Sequence, residues 1–388
     1  MLFVLLHAPE ISGFKDAKAI MLLIILSLFI AVVLIQFLYY IVIFGKFSFA
    51  KPQTVTPKKI PISIIVCAKN EEENVKNFLP LLLEQEYYDF EIVLIDDASS
   101  DETLDYFEAL EKEHPKIKLV KVENNEAFWG NKKYALTLGI KAAKNEYLLF
   151  TDADCYPTSK NWILNMSSQF TMHKTIILGY GAYEKIANSF LNKMIRFETL
   201  LTATQYFAWA KIGKPYMGVG RNLAYKREEF FKVNGFIDHM KIRSGDDDLF
   251  INQAASKANT TVCYLPDSFT YSKPKTSFKE WFAQKRRHVS TAKNYKLFDR
   301  NQLALFYCSQ ILFLVLPIIL LAFQFQWILV LSLIGFRYIF AWIAMGFAAG
   351  KLKEKDVMYW FPIIEIVLIL TQLNIFITNT FSKPVNWR

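Results

Sequence analysis

The sequence predicts an α/β domain with a mostly parallel sheet, joined to membrane-spanning helices, one before the domain and three after it. Short apolar runs of strand length alternate with helical spacing between residues 60 and 300. Four long runs that are nearly free of charge lie on either side of that segment. With 53% hydrophobic and only 21% charged residues, the chain of 388 residues does not have the composition of a disordered protein.

The N-terminal apolar run covers residues 20–44, and none of its residues is charged. Its length exceeds the roughly 20 residues that a helix needs to cross the hydrocarbon core of a membrane. It is also too long for the apolar core of a signal peptide, so we expect a transmembrane helix. Residues 1–19 precede this run and receive no structural assignment.

Three further apolar runs follow the middle segment, at 303–323, 327–350 and 357–381. Arg337 is the only charged residue of the second run, and Glu365 is the only one of the third. Both lie at a similar depth when counted from the loop between the two runs. Because an unpaired charge inside a membrane is costly, we predict that they pair, although a polar contact to a substrate is the alternative.

Lysines flank these runs on the side of the middle segment. They are Lys46, Lys51, Lys58 and Lys59 after the first run, and Lys351, Lys353 and Lys355 between the last two. The positive-inside rule therefore predicts a multi-pass protein of the cell membrane, with a cytoplasmic middle segment and both termini outside. The net charge is +9, but no basic block is long enough for a nucleic-acid arm, so no nucleic-acid partner is expected.

The middle segment contains the alternating elements of the predicted sheet. Strand-length runs are Ile62–Ala68, Glu91–Ile95, Ile117–Val122, Tyr147–Phe150 and Thr175–Leu178, and helical spacing marks Glu72–Glu86 and Asn131–Ala143. Strands that alternate with helices indicate a parallel sheet with helices on its faces. Ligands of such sheets bind outside the carboxyl ends of the strands.

Acidic residues stand at two of these strand ends. Asp96 and Asp97 follow the second strand, and Asp152 and Asp154 follow the strand that ends near residue 150. Either pair alone is weak evidence, because Asp is a common turn and helix-capping residue. Together, on one rim of a sheet, they favour a metal site that holds phosphates, since Mg²⁺ and Mn²⁺ prefer carboxylates and substrate oxygens.

These segments resemble the nucleotide-binding half of family-2 glycosyltransferases, which have the Rossmann-like GT-A fold. The resembling segments are ISIIVCAKNEEENV from Ile62, IVLIDDASSDET from Ile92, NKKYAL from Asn131, LLFTDADC from Leu148, GVGRNLAY from Gly218, SGDDDL from Ser244 and QKRRH from Gln284. Their order and rough spacing hold over the whole of 60–300. The resemblance thus implies a cytoplasmic GT-A domain at 60–300.

The resemblance also implies a nucleotide-sugar donor. Asp97, with Asp96 beside it, corresponds to the carboxylate that contacts uracil in the family. Asp152 and Asp154 correspond to the family's metal-binding pair, which implies Mg²⁺ or Mn²⁺. The donor-binding residues implied together are Lys69, Glu71, Asp96, Asp97, Lys132, Asp152, Gln284 and Arg287.

The catalytic base implied by the resemblance is Asp246. The family has a Glu-Asp pair here, whereas this chain has Gly245 before the Asp, so the register leaves Asp247 open as the base. His288 stands where the family's last motif has Trp, a residue that lines the acceptor channel in relatives. The type of acceptor and the processivity therefore stay open.

Two plainer interpretations compete with these roles. Asp246 to Asp248 could simply cap a helix over 249–258, although three successive Asp exceed what a cap needs. Residues 285–287 could be an ordinary cationic flank of the next membrane helix, a role that is compatible with clamping a pyrophosphate. The motif order favours the functional interpretation in both cases.

The sequence as a whole predicts an inverting membrane glycosyltransferase that transfers a sugar from a nucleotide-sugar, expected to be a UDP-sugar, to a membrane lipid or lipid-linked acceptor. As a membrane glycosyltransferase that makes a glycolipid, the chain looks most like ceramide glucosyltransferases. The first alternative is a processive polysaccharide synthase that extrudes its product through the helices. An alternative of another class is a non-catalytic membrane protein that binds nucleotide-sugars.

Overall fold

The computed structural model describes residues 12–123, 132–242 and 244–382, with side chains from residue 17 onward. Asn131 and most of the unassigned segment 1–19 lie outside the described residues. The strands are β1 (Ile62–Ala68), β2 (Phe90–Asp96), β3 (Ile117–Lys121), β4 (Tyr147–Asp152), β5 (Cys155–Pro157), β6 (Ile176–Leu178), β7 (Gly181–Tyr183), β8 (Leu223–Lys226), β9 (Thr260–Val262) and β10 (Thr270–Ser272).

The helices divide between the middle segment and the apolar runs. They are α1 (Ser12–Phe37), α2 (Gly45–Ser48), α3 (Glu72–Leu83), α4 (Thr103–Glu113), α5 (Lys132–Ala142), α6 (Trp162–Ser167), α7 (Phe190–Ile212), α8 (Arg227–Lys232), α9 (Asp248–Ala254), α10 (Phe278–Thr291), α11 (Leu297–Ala322), α12 (Trp327–Lys351) and α13 (Phe361–Phe381). A π-helical turn, Leu38–Ile43, joins α1 to the segment before α2, and a 3₁₀ turn, Lys355–Trp360, precedes α13.

The main sheet has the strand order β3-β2-β1-β4-β8-β6-β9. Strands β1 to β4 run parallel to one another, and β8 is antiparallel to both of its neighbours. The predicted α/β class is therefore confirmed, and all five predicted strands exist with nearly the predicted bounds. A small second sheet, β5-β10-β7, has strands of three residues, which are too short to leave an alternating pattern in the sequence.

Helices cover both faces of the sheet. Ile64 and Val66 of β1 belong to one apolar cluster together with buried residues of α3 and α4, whereas Ile65 belongs to a second cluster together with α5. Burial on both faces explains the continuous apolar run of this strand. The strand register brings Ala68 beside Asp96 and Cys67 beside Asp152, so the carboxyl ends of β1, β2 and β4 meet at one edge.

Two helices of the middle segment bury more of their surface than an isolated amphipathic helix would. Phe190, Met194, Phe197 and Leu201 have the spacing of one helical face, which either a core helix or an interfacial helix could have. Met194, Phe197 and Leu201 of α7 lie in the core and Phe190 is exposed, which supports a core helix. On α10, Trp281 is buried as well, while Phe278 is exposed. The expected helix at 249–258 is shorter than predicted, because α9 already ends at Ala254.

The four predicted apolar runs are confirmed as helices that are long and apolar enough to cross a membrane. They occupy Ala17–Ser48, Leu297–Ala322, Trp327–Lys351 and Lys355–Phe381. The predicted ion pair is also confirmed: Arg337 Nη1 and Nη2 each lie 2.7 Å from an oxygen of Glu365. The same guanidinium donates to Gln36 and to Tyr40, so the pair joins α1, the π-helical turn, α12 and α13.

Candidate active site

Tight turns place the acidic residues after β2 next to the end of β1. Lys69 donates from Nζ to the backbone oxygen of Asp97 at 3.0 Å. Oδ2 of Asp96 accepts from the Ser99 backbone N–H at 3.2 Å. Oδ1 of Asp96 is buried and has no hydrogen-bond partner among the described residues, so it is free to accept from a ligand. Burial raises the pKa of Asp97, although Lys69 partly opposes this effect.

The end of β4 carries a compact group of possible metal ligands. Carboxylate oxygens of Asp152 and Asp154 and Sγ of Cys155 lie within 4.8 Å of one another. Burial, together with Asp152, raises the pKa of Asp154. Burial also raises the pKa of the Cys155 thiol well above its usual value, and Sγ lies 3.3 Å from Asp154 Oδ1. Cys155 therefore stays a thiol that orients Asp154.

Glu71 lies close enough to Asp152 and Asp154 for their charges to shift its pKa. Burial raises the pKa of Glu71, and Asp154 and Asp152 raise it further. Its Oε2 accepts from Asn74 Nδ2 at 2.7 Å, which holds the side chain at the start of α3.

Lys132, the first residue of α5, connects the two acidic motifs. Its Nζ lies 2.7 Å from Asp152 Oδ1 and 3.3 Å from Asp246 Oδ2. Burial alone would lower the pKa of Lys132, but Asp152 and Asp246 raise it well above its usual value. The site therefore holds a permanent cation between the end of β4 and the residues before α9.

The three successive Asp residues before α9 have different surroundings. Asp247 caps the helix: its Oδ1 accepts from the Asp248 N–H and its Oδ2 from the Gly220 N–H, both at 2.7 Å. Burial, followed by the charges of Asp246 and Asp248, raises the pKa of Asp247 to about 7. Asp248 accepts from Thr291 at 2.5 Å and from Tyr295 at 2.6 Å.

Asp246 is the member of this trio that faces Lys132. Burial tends to raise the pKa of Asp246, but Lys132 lowers it below its usual range, so the carboxylate is ionised. The preceding Gly245 has φ +92, and a Cβ there would lie 2.5 Å from Leu249 Cδ1. A Glu at position 245 would be strained in this backbone.

Helix α10 carries the last predicted motif beside the cleft. Lys285 forms an ion pair with Glu198 of α7, and Arg286 donates to Asn379 and Ser382, so these two cations have structural partners. Gln284 and Arg287 are half-buried, and burial lowers the pKa of Arg287. Their donor-binding role stays a prediction.

Charged residues of the site shift the pKa of His288. Desolvation, followed by the charges of Lys285, Arg287 and Arg221, lowers the pKa of His288. The opposing effect of Asp246 is smaller. The side chain is therefore neutral at pH 7.

Arg221 lies in the GVGRNLAY segment, and the sequence alone indicates no role for it. Its guanidinium donates to the backbone oxygen of Gly181 at 3.0 Å and to Ser272 Oγ at 2.9 Å, and it stacks 4.3 Å from the ring centre of Tyr183. From there its charge lowers the pKa of Asp154. It is thus a second fixed cation near the acidic pair.

Lys133 is a second residue for which the sequence alone indicates no role. It is fully buried, and its Nζ donates to the backbone oxygens of His239, Ile242 and Ser244 at 2.7 to 2.9 Å. It holds the segment that leads to Asp246. In the sequence, Lys133 is recognisable only as the second Lys of the NKKYAL segment, and its partners are visible only in the fold.

Comparison with known proteins identifies the family. Residues 166–364 match glycosyl transferase family group 2, and residues 63–247 match glycosyl transferase family 2. The chain belongs to glycosyl transferase family 2. Membership of this family favours an enzyme over the non-catalytic alternative.

Two curated relatives illustrate the range of the family. The poly-beta-1,6-N-acetyl-D-glucosamine synthase of Staphylococcus epidermidis is 39% identical over 93 residues, 24% of this chain and 21% of that protein. WfgD of Escherichia coli, a UDP-Glc:alpha-D-GlcNAc-diphosphoundecaprenol beta-1,3-glucosyltransferase, is 31% identical over 131 residues, 33% of this chain and 47% of that protein. The chain thus spans less than half the length of either relative.

A solved structure extends the comparison to nearly the whole chain. The mannosyltransferase PcManGT from Pyrobaculum calidifontis, in complex with GDP-Man and Mn²⁺, superposes with a TM-score of 0.58 at 18% identity. The match covers 90% of this chain and 98% of that one. The predicted GT-A fold is therefore confirmed.

Proposed function

We propose that this glycosyltransferase transfers a sugar, with inversion, from a UDP-sugar to a lipid or lipid-linked acceptor at the cytoplasmic surface of the cell membrane. The observation that carries the proposal is the position of Lys132. One ammonium group contacts both Asp152, on the metal-binding side, and Asp246, the candidate base. Groups for the leaving diphosphate and for the attacking hydroxyl therefore lie in one cleft.

The acidic pair after β4 fits a divalent metal ion. Asp152 and Asp154 offer hard oxygen ligands that suit Mg²⁺ or Mn²⁺. Burial, followed by the charge of Asp152, raises the pKa of Asp154, and a bound cation would oppose both effects. A metal ion bound here would neutralise charge on the diphosphate as a Lewis acid. PcManGT was solved with Mn²⁺, which supports this assignment.

Side chains of the protein contribute the remaining chemistry. Lys132 and Arg221 are fixed cations that stabilise the negative charge of the departing diphosphate. Asp246 is ionised and accepts the proton of the acceptor hydroxyl. Because this base must act from the side opposite the leaving group, a single displacement inverts the anomeric carbon. Free Oδ1 of Asp96, with Asp97, would receive the N–H of the nucleotide base.

The membrane helices support a lipid acceptor. A lipid or lipid-linked acceptor would present its hydroxyl at the membrane surface, where the catalytic domain sits. The acceptor of WfgD is such a diphosphoundecaprenol-linked sugar. The same helices leave little space for a polymer: Arg337, Ala341 and Ala344 are fully buried between them, and Arg337 is tied to Glu365.

The alternative is a processive synthase like the poly-N-acetylglucosamine synthase among the relatives. The identity to that protein is the observation in its favour. A closed interior around Arg337 weighs against a polymer channel through the helices of one chain.

Transfer assays on the full chain in proteoliposomes test both functions. A panel of UDP- and GDP-sugars with Mn²⁺ or Mg²⁺ is supplied with total membrane lipid, and nucleoside diphosphate release and product size are measured. We expect release with a UDP-sugar and a lipid-extractable product with one added sugar. A long polymer would favour the synthase. Lack of donor-dependent release in every combination would refute the proposal.

A further inference from the structure

Helix α13 has the length and composition of a membrane span, but its ends do not lie where a span requires them. Its 21 residues extend about 32 Å, close to the roughly 30 Å thickness of a hydrocarbon core. A helix of this length that crossed the membrane would have its two ends at opposite surfaces. The contacts of each end therefore decide the orientation.

Both ends of α13 contact the catalytic domain. At the start, the ring of Phe361 lies 5.6 Å from that of Phe197 in α7. At the other end, Arg286 of α10 donates to Asn379 Oδ1 at 2.8 Å and to the backbone oxygen of Ser382 at 2.7 Å. Asn379 Nδ2 returns a hydrogen bond to the backbone oxygen of Arg286 at 3.1 Å.

Helices α7 and α10 belong to one rigid side of the molecule. Lys285 of α10 forms an ion pair with Glu198 of α7, which directly follows Phe197 in the chain. Because the two anchoring helices are packed on each other, the two ends of α13 are on the same side.

In contrast to α13, helices α1, α11 and α12 have their two ends at opposite ends of the bundle. Near the catalytic domain, the ring of Phe47 lies 5.1 Å from that of Phe207 in α7. At the far end of α1, Lys18 Nζ lies 4.7 Å from the ring of Phe323, just after α11. These contacts mark two opposite ends of the bundle, and the first residue of α12, Trp327, follows shortly after Phe323.

The surface of α13 suits the boundary between lipid and water. Ile363, Leu370 and Ile377, seven residues apart, are exposed on one face. Polar residues gather in the second half of the helix: Thr371, Gln372, Asn374, Thr378, Asn379 and Thr380. Such a segment is costly in the middle of a membrane but suits an interfacial helix.

We propose that α13 lies in the membrane interface on the side of the catalytic domain, with Ile363, Leu370 and Ile377 against phospholipid acyl chains. Three helices then span the membrane, and Ser382 is on the catalytic side. The positive-inside rule agrees, because Lys383 and Arg388 follow in the sequence.

This placement also connects the membrane surface with the active site. Arg286, which α13 anchors, is adjacent in α10 to Arg287 and two residues from His288. The interfacial helix therefore holds the helix that borders the cleft.

Spin labels at matched heptad positions test the orientation in proteoliposomes. One series is Ile363→Cys, Leu370→Cys and Ile377→Cys in α13, and the control series is Leu329→Cys, Phe336→Cys and Ile343→Cys in α12, all at exposed positions. In each series the first and last labels are about 21 Å apart along the helix. We expect equal, shallow depths in α13 and, in α12, a middle label near the bilayer centre. A label at position 370 near the centre, between two shallow ones, would overturn the proposal.

Labelling with an impermeant maleimide adds an independent readout. Thr380→Cys leaves the Arg286 contacts intact, and Lys279→Cys and Gln324→Cys mark the catalytic and the far side; all three positions are exposed. Labelling is scored above that of the parent chain, which has its own cysteines. Thr380→Cys should be labelled from the same side as Lys279→Cys. Labelling from the Gln324→Cys side, or from neither side, contradicts an interfacial helix.

Discussion

The two neighbouring carboxylates Asp246 and Asp247 should respond in opposite ways to the same substitution. Asp246→Asn removes the candidate base but preserves the size of the side chain. Asp247→Asn alters a group that accepts two backbone N–H groups at 2.7 Å. We therefore propose catalytic chemistry for the first position, whereas the second caps α9.

The magnitude for Asp246 follows from the role of a general base. Turnover of Asp246→Asn should fall by about 10²–10⁴, or about 3–5 kcal/mol in activation free energy. Donor KM should change little, because the base acts on the acceptor. Stability should also change little, since Lys132 keeps its contact with Asp152 at 2.7 Å.

The magnitude for Asp247 follows from its hydrogen bonds. An Asn side chain has one acceptor oxygen, so either the Gly220 or the Asp248 N–H loses its partner. An unpaired buried N–H costs about 1–3 kcal/mol, which should be lost from the free energy of unfolding. Turnover of the folded Asp247→Asn variant should stay well above that of Asp246→Asn.

Initial rates of nucleoside diphosphate release at saturating donor, and denaturant unfolding of the same preparations, measure the two effects separately. A dead Asp247→Asn beside an active Asp246→Asn would move the base by one residue and show our register to be wrong. If both variants kept full turnover while folded, the reasoning that an Asp base inverts the anomeric carbon would be refuted.

Three further outcomes are expected. The pKa of Asp247 is raised to about 7 in the fold, so between about pH 4 and 7 the folded chain holds a proton that the unfolded chain releases. The free energy of unfolding should therefore fall as the pH rises from about 4 to 7. Asp247→Asn should flatten this dependence in unfolding measured across pH. Arg337→Met should lower the free energy of unfolding by about 3–5 kcal/mol, because it leaves Glu365 buried without its partner. Exchanging the two charges should restore most of that stability. Single variants with unchanged stability would contradict a structural pair. Asp154→Asn should lose Mn²⁺-dependent UDP binding in calorimetry while staying folded, and full activity in chelator would exclude the metal role.

Several features could be predicted from the sequence because they depend on local patterns. A continuous β-branched run such as Ile62–Ala68 is buried on both faces wherever it packs, and its strand has the predicted bounds. An uncharged run of more than 20 residues forms a long apolar helix for the same local reason. Because the carboxyl ends of parallel strands share one edge, the position of the Asp pairs in the chain also predicted that they would meet.

Other features were decided only by the tertiary structure, because they depend on residues far apart in the chain. The sequence leaves both Asp246 and Asp247 open as the base, and only the positions of Lys132 and Gly220 make one an ionised carboxylate beside a cation and the other a cap. Hydropathy measures the transfer of a segment into lipid but not its direction. The orientation of α13 is therefore set by Arg286, 93 residues before its partner Asn379, through a hydrogen bond that no local pattern encodes.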